Sequence, residues 1–235
     1  GSRNRLPEAA RAEAIRAAVT GADGVVESVE KKPLVEAPPL LYDLTTLQRE
    51  ANQRFGFTAR RTLAAAQGCY ETHKVLTYPR TDSRHLTSDM AGELPKLFTA
   101  LAAIPDYAPF AQPLAARPPR PTRRVFDDAK VSDHHAIIPT GKRVDPARLG
   151  PDERRVFDLV ARRFLGAFFP DAEFALTDLW IRVGTGIPVE ASAPDRGADN
   201  PMLVAAPPPP DRYFARGRVR VEAGWQVVAG FGDAE

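Results

Sequence analysis

Cysteine is nearly absent: Cys69 is the only one in 235 residues. A single thiol excludes an internal disulfide and a zinc site built from cysteines, and it suits a reducing compartment. Long apolar runs are also missing, and none approaches the ~20 residues a membrane-spanning helix needs. Charge of one sign does not dominate either. Lys and Arg number 32 against 30 Asp and Glu, a net +2. That balance is too mild to argue for a nucleic-acid partner, so any basic surface must come from local clustering. Among the 4 histidines no pair has helical i, i+4 metal-ligand spacing.

What is present is an ordinary globular composition, 43% hydrophobic and 26% charged. The length allows one large domain or two small ones. Proline stands out at 23 residues, about twice the usual ~5% share, and predicts long irregular loops. The chain opens Gly1-Ser2 without Met, which reads as a tag-removal scar on an excised piece of a larger protein.

Along the chain, Glu8 to Ala18 reads as a helix and Val25 to Val29 as a short strand. Thr45 with Gln48 predicts a capped helix start, Gly56 a break, and Thr58 the cap of a second helix lined by Leu63, Ala66 and Tyr70. This helix hairpin is a weak DNA signal, since such hairpins occur in any helical core. Val75 to Tyr78 looks strand-like. A helix is expected from Thr87 to about residue 103, with Pro95 kinking it. Residues 105–124 read as irregular. Pro151 opens a strong amphipathic helix stopped by Pro170. From Phe174 the period shifts to two, with strands at 174–183, Arg218–Glu222 and Gln226–Ala229. Residues 184–215 read as a Pro/Gly-rich insertion. The pattern is α+β, with a helical middle between β-leaning ends that form halves of one discontinuous domain.

Two runs carry candidate chemistry. In Leu76-Thr77-Tyr78-Pro79-Arg80-Thr81-Asp82-Ser83 an extended backbone would turn the phenol of Tyr78 and the guanidinium of Arg80 to one side. A tyrosine oxygen can attack phosphorus while arginine holds the phosphate oxygens in bidentate fashion. The same residues fit a buried tyrosine at a strand end beside a surface arginine, and both readings stand at this level. In Asp127 to Thr140, His134 at the mouth of Ala136-Ile137-Ile138-Pro139 could donate to a phosphate, or could bond a backbone carbonyl. Asp127, Asp128 and Asp133 read as a solvated loop rather than a magnesium site.

Together the two runs resemble the hallmark motifs of type IA DNA topoisomerases, in their topoisomerase III branch. Tyr42 to Gln48, Arg54-Phe55-Gly56, the Arg155-to-Phe169 helix and Glu222-Ala223-Gly224-Trp225 fit that branch in order. The likeness covers residues 30–183 and 216–230. It implies that Tyr78 is the nucleophile that stays attached to a 5′ phosphate, that Arg80 holds the scissile phosphate, and that His134 hydrogen-bonds it. His135 packs, and Thr81, Asp82 and Ser83 shape the loop. The three reactive groups should converge on one spot.

The resemblance also implies an architecture: a helical tyrosine-bearing domain (43–171) inserted into a β-rich gate (hinge) domain made of residues 1–42 and 172–235. It implies magnesium in the full-length enzyme, bound by a TOPRIM domain upstream, and no metal in this chain. A free phenol titrates at about pH 10, so without that machinery attack should be slow. The implied partners are DNA, preferentially single-stranded, and the missing TOPRIM and adjoining domains; the implied setting is cytoplasmic, with no membrane. Arg117, Arg120, Arg123, Arg124 and Lys130 are the candidate DNA-binding side chains, able to track a phosphate backbone. Two other readings remain: a non-catalytic single-stranded DNA-binding module, and a scaffold offering Pro207–Pro210 as a polyproline II ligand.

Overall fold

The computed structural model describes residues 8–183 and 212–230, so Gly1-Ser2 and Pro207–Pro210 lie outside the described residues. The class is α+β. The chain forms two compact units, each discontinuous: Gly1–Leu34 with Glu173–Val221, and Val35–Ala172 with Glu222–Glu235. Residues 35–42 and 222–230 therefore pack with the helices, whereas the sequence pattern grouped them with the flanks. Among the described residues no helix is long and apolar enough to cross a membrane.

The first unit holds helix α1 (Ala9–Val19) and a three-stranded antiparallel sheet in the order β1-β2-β3. Strand β1 runs Gly24–Glu36, well past the expected Val29. It accommodates Pro33 because it is an edge strand, where a missing N–H need not break a ladder. Strand β2 (Ala172–Val183) is central. Strand β3 spans Arg212–Glu222, so the expected insertion ends sooner and residues 212–215 are already paired. The cause is a two-residue side-chain period that starts at Arg212 and was masked in the sequence by the prolines just before it.

The second unit is built around α6 (Pro151–Gly166), whose Val156, Phe157, Val160 and Phe164 are buried. Pro151 takes the first helical position, and the N3 residue Glu153 accepts the Gly150 N–H at 2.8 Å. Helices α2 (Leu44–Phe55) and α3 (Ala59–Gln67) form the expected hairpin. The cap of α2 is Asp43 rather than Thr45: its carboxylate accepts the Thr46 N–H at 2.6 Å. Gln48 instead donates to the Ala59 carbonyl at 3.1 Å, tying the hairpin together. Gly56 ends α2 with φ 67°, and the Thr58 hydroxyl caps α3.

Three further expectations give way to packing. The helix predicted from Thr87 is a 3₁₀ turn (Ser88–Glu93) followed by α4 (Leu94–Ala102). Pro95 starts α4 instead of kinking it, because the first turn needs no N–H from it. The "irregular" stretch contains α5 (Ala108–Ala116), which tolerates Pro113 inside it because burial of Ala111 and Leu114 holds the segment. Gln226–Ala229 is a short helix, α7, not a strand; Val228 is fully buried.

Candidate active site

The two informative runs meet in the second unit, on loops rather than regular elements. Val75 to Tyr78 is not a strand; it makes one isolated antiparallel bridge, Leu76 with Pro139. Around that bridge the hydroxyls of the first run lace it to the second. Thr77 Oγ1 donates to the Ala136 carbonyl at 3.2 Å and accepts from the Ile138 N–H at 2.9 Å. The Thr77 N–H donates to the Ile138 carbonyl at 3.0 Å. Thr81 Oγ1 donates to the His134 carbonyl at 2.8 Å and accepts from Ser83 N–H at 3.1 Å. Ser83 Oγ donates to the Lys130 carbonyl at 2.8 Å.

Below this lacing the chain is buried. Leu76, Ala136, Ile137 and Ile138 are at most 1% exposed. Ile137 N–H donates to the Tyr42 carbonyl at 2.8 Å, and Leu44 N–H to the Thr81 carbonyl at 3.0 Å. Both runs are thus anchored on the start of α2.

The ring of Tyr78 lies 4.5 Å from that of His134, centroid to centroid, tilted by 48°. Tyr78 is half-buried and His134 exposed. Arg80 is exposed too. Among the described residues its side chain makes no hydrogen bond, ion pair or ring contact, so two of the three predicted groups touch and the third makes no contact with them. His135 is half-buried, with Nδ1 2.8 Å from the Ala136 carbonyl.

Sequence reasoning missed how Tyr78 is held. Tyr70, read as lining a helix, sits in a π-helical turn (Gly68–Thr72) and meets Tyr78 edge-on, centroids 5.4 Å apart. The turn leans on Glu153 of α6. A Cβ on Gly68 would come within 2.2 Å of Glu153 Oε1, so a larger residue here would push that carboxylate aside. Oε2 of the same carboxylate lies 3.1 Å from His73 Nε2. The available signal was Gly68 inside an otherwise good helix pattern, a position that marks close approach. Cys69 follows it in the turn, fully buried, and burial together with the Glu153 carboxylate pushes its thiol up to about 12.

The basic candidates are exposed throughout. Arg117 caps the end of α5. Arg120, Arg123 and Arg124 follow on a segment that a parallel bridge, Leu86 with Phe126, ties to the loop after Tyr78. Lys130 is joined to that loop through its carbonyl but pairs with Asp127 at 3.1 Å. Among the described residues Arg117, Arg120, Arg123 and Arg124 form no salt bridge. Deeper in the loop, buried His85 is held below its ordinary range by desolvation, with Lys130 and Arg84 adding to the effect and Asp127 opposing it. No three His, Cys, Asp or Glu side chains among the described residues cluster as metal ligands. They do not fit a magnesium site.

Comparison with known proteins gives the family. The family model described as "DNA topoisomerase" matches residues 1–195. The chain belongs to the type IA DNA topoisomerase family. It is 39% identical over 206 residues to a DNA topoisomerase 3 of Bacillus cereus, covering 88% of this chain and 25% of that protein. Against a DNA topoisomerase 3 of Shouchella clausii it is 45% identical over 159 residues, 66% of this chain and 21% of the relative. Against one of Bacillus licheniformis it is 33% identical over 234 residues, 100% of this chain and 29% of the relative. The chain thus spans about a quarter of the length of the curated relatives it matches. In fold it is similar to full-length topoisomerase I from Thermotoga maritima, with TM-score 0.60 at 20% identity, over 100% of this chain and 33% of that one.

Proposed function

We propose that this chain is the nucleophile-bearing part of an enzyme that cuts one DNA strand, passes a strand through the break and reseals it. The observation that carries the reading is the ring contact of Tyr78 with His134, on two loops laced by Thr77 and Thr81. In this reading the Tyr78 oxygen attacks a backbone phosphorus. An O–P bond forms to the tyrosine, the bond to the 3′ oxygen breaks, and that oxygen leaves with a proton. The 5′ phosphate stays on Tyr78. Reversal reseals the strand, and the phosphotyrosine conserves the bond energy without nucleotide hydrolysis.

Arg80, exposed and without a partner among the described residues, takes the non-bridging oxygens as charge builds. His134 donates to the same phosphate. Arg117, Arg120, Arg123, Arg124 and Lys130 track the flanking backbone, giving salt-sensitive, sequence-blind affinity for DNA, single-stranded by preference. The β-rich unit acts as the gate that lets a strand through, magnesium belongs to a TOPRIM domain elsewhere in the parent, and the setting is cytoplasmic, on nucleoid or plasmid. The chain by itself binds DNA weakly and does not turn over.

The decisive experiment is Tyr78→Phe in the full-length parent. The expected result is loss of the covalent protein–DNA adduct and of relaxation, with DNA binding retained. An adduct that still forms would show that another residue is the nucleophile.

A further inference from the structure

One face of the sheet carries a feature that the strand-cutting chemistry does not use. By the two-residue period, Asp178 and Trp180 of β2 share a face with Arg212, Phe214 and Arg216 of β3. There the rings and guanidiniums form a stack. Trp180 and Phe214 lie 4.9 Å apart, centroid to centroid. The guanidinium of Arg212 lies 4.3 Å from the Trp180 centroid, and that of Arg216 lies 5.5 Å from Phe214. Further along, Arg218 covers Phe174 at 3.6 Å.

The guanidiniums are aligned by carboxylates. Glu27 of β1 accepts from Arg182 at 2.9 Å and from Arg212 at 2.5 Å. Asp178 accepts from Arg216 twice, at 2.6 and 2.8 Å. Three arginines thus share two carboxylates, leaving these residues a cationic excess. The groups remain open to solvent: Phe214 is 47% exposed, and the Arg212 and Arg216 side chains are 41% and 55% exposed.

Flat, oriented guanidiniums over aromatic rings have the chemistry that holds unpaired nucleotides. Bases stack on ring faces and on guanidinium planes, while remaining N–H groups take phosphates. We propose that this face of the sheet binds single-stranded nucleic acid, with bases stacking on Phe214 and on the guanidiniums of Arg212 and Arg216. A duplex, whose bases are already stacked and paired, gains only the charge attraction. This inference rests on the reading that DNA is the partner, and adds a second contact surface to the Tyr78 site.

The test is a low-salt titration of the 235-residue chain with labelled oligothymidine of about 15 nucleotides and with a duplex of equal length. Trp180→Leu with Phe214→Leu keeps apolar bulk and removes the ring faces. It should weaken oligothymidine binding about tenfold, leave duplex binding unchanged and leave the melting temperature near that of the unaltered chain. Unchanged oligothymidine affinity, or an equal loss for duplex, overturns the proposal. Should that variant fail to fold, Arg212→Lys with Arg216→Lys keeps the charges but removes the planar stack. It must still weaken the single strand several-fold, and unchanged binding overturns the proposal equally. Failure of the unaltered chain to bind DNA at all would remove the DNA reading and this one together; binding indifferent to the sheet variants removes this one alone.

Discussion

Replacing Thr77 with valine tests how the two candidate-site runs are joined. The Thr77 hydroxyl makes two bonds across the gap between the runs, donating to the Ala136 carbonyl and accepting the Ile138 N–H. Valine nearly keeps the shape, so little cavity forms, but both bonds go. The Ala136 carbonyl retains the His135 ring nitrogen as a neighbour, so its loss is about 1 kcal/mol, the net worth of one hydrogen bond. The Ile138 N–H belongs to a residue 1% exposed and is stranded, which adds about 1–3 kcal/mol. The sum is about 2–4 kcal/mol. With a urea slope of about 1–3 kcal/mol per molar, the unfolding midpoint should fall by roughly 1 M or more. Fluorescence of Trp225, which lies in the same unit, reports that unit's unfolding. Thr77→Ser keeps the hydroxyl and should recover most of the difference. A valine variant whose midpoint matches that of the wild type would refute the claim that this hydroxyl fastens the runs.

Cys69, fully buried and with its thiol pushed up to about 12, should resist a thiol reagent at pH 8 and react at once in denaturant; fast labelling of the folded chain would contradict its placement. His85 carries a pH prediction. Its folded value is depressed, so the unfolded chain takes up the proton first. The stability from this group is complete above the ordinary histidine value of about 6.5 and is lost as pH falls through the depressed value. Melting temperature should therefore drop between pH 7.5 and 5.5, and His85→Gln should flatten that drop; an unaltered slope would show that another group is responsible.

The helical core was legible because its signals are local. Pro151 with the acidic residues after it, and apolar residues at i, i+4 spacing, mark α6 without reference to any other element. Gly56 and Thr58 likewise mark the turn between α2 and α3. The failures share a cause. Pro95 is read locally as a kink, yet at a helix start it lacks only an N–H that the first turn does not use. Gln226–Ala229 is expected as a strand, but Val228 is fully buried in the helical core and the segment is a short helix.

The amino-acid order by itself determined which side chains are the candidates for chemistry: a phenol, a guanidinium and an imidazole in two short runs, since a reactive group is a property of residue type and near neighbours. Tertiary structure decided where they sit. Tyr78 and His134 are 56 residues apart in sequence, and the folded chain, its two runs laced by Thr77, Thr81 and the Leu76–Pro139 bridge, sets their ring centroids 4.5 Å apart. The π-helical turn that sets Tyr70 against Tyr78 lies against a carboxylate from α6. Such contacts cannot be read from order alone, because the free energy that selects them comes from groups far apart along the chain and is gained only when the whole unit has closed.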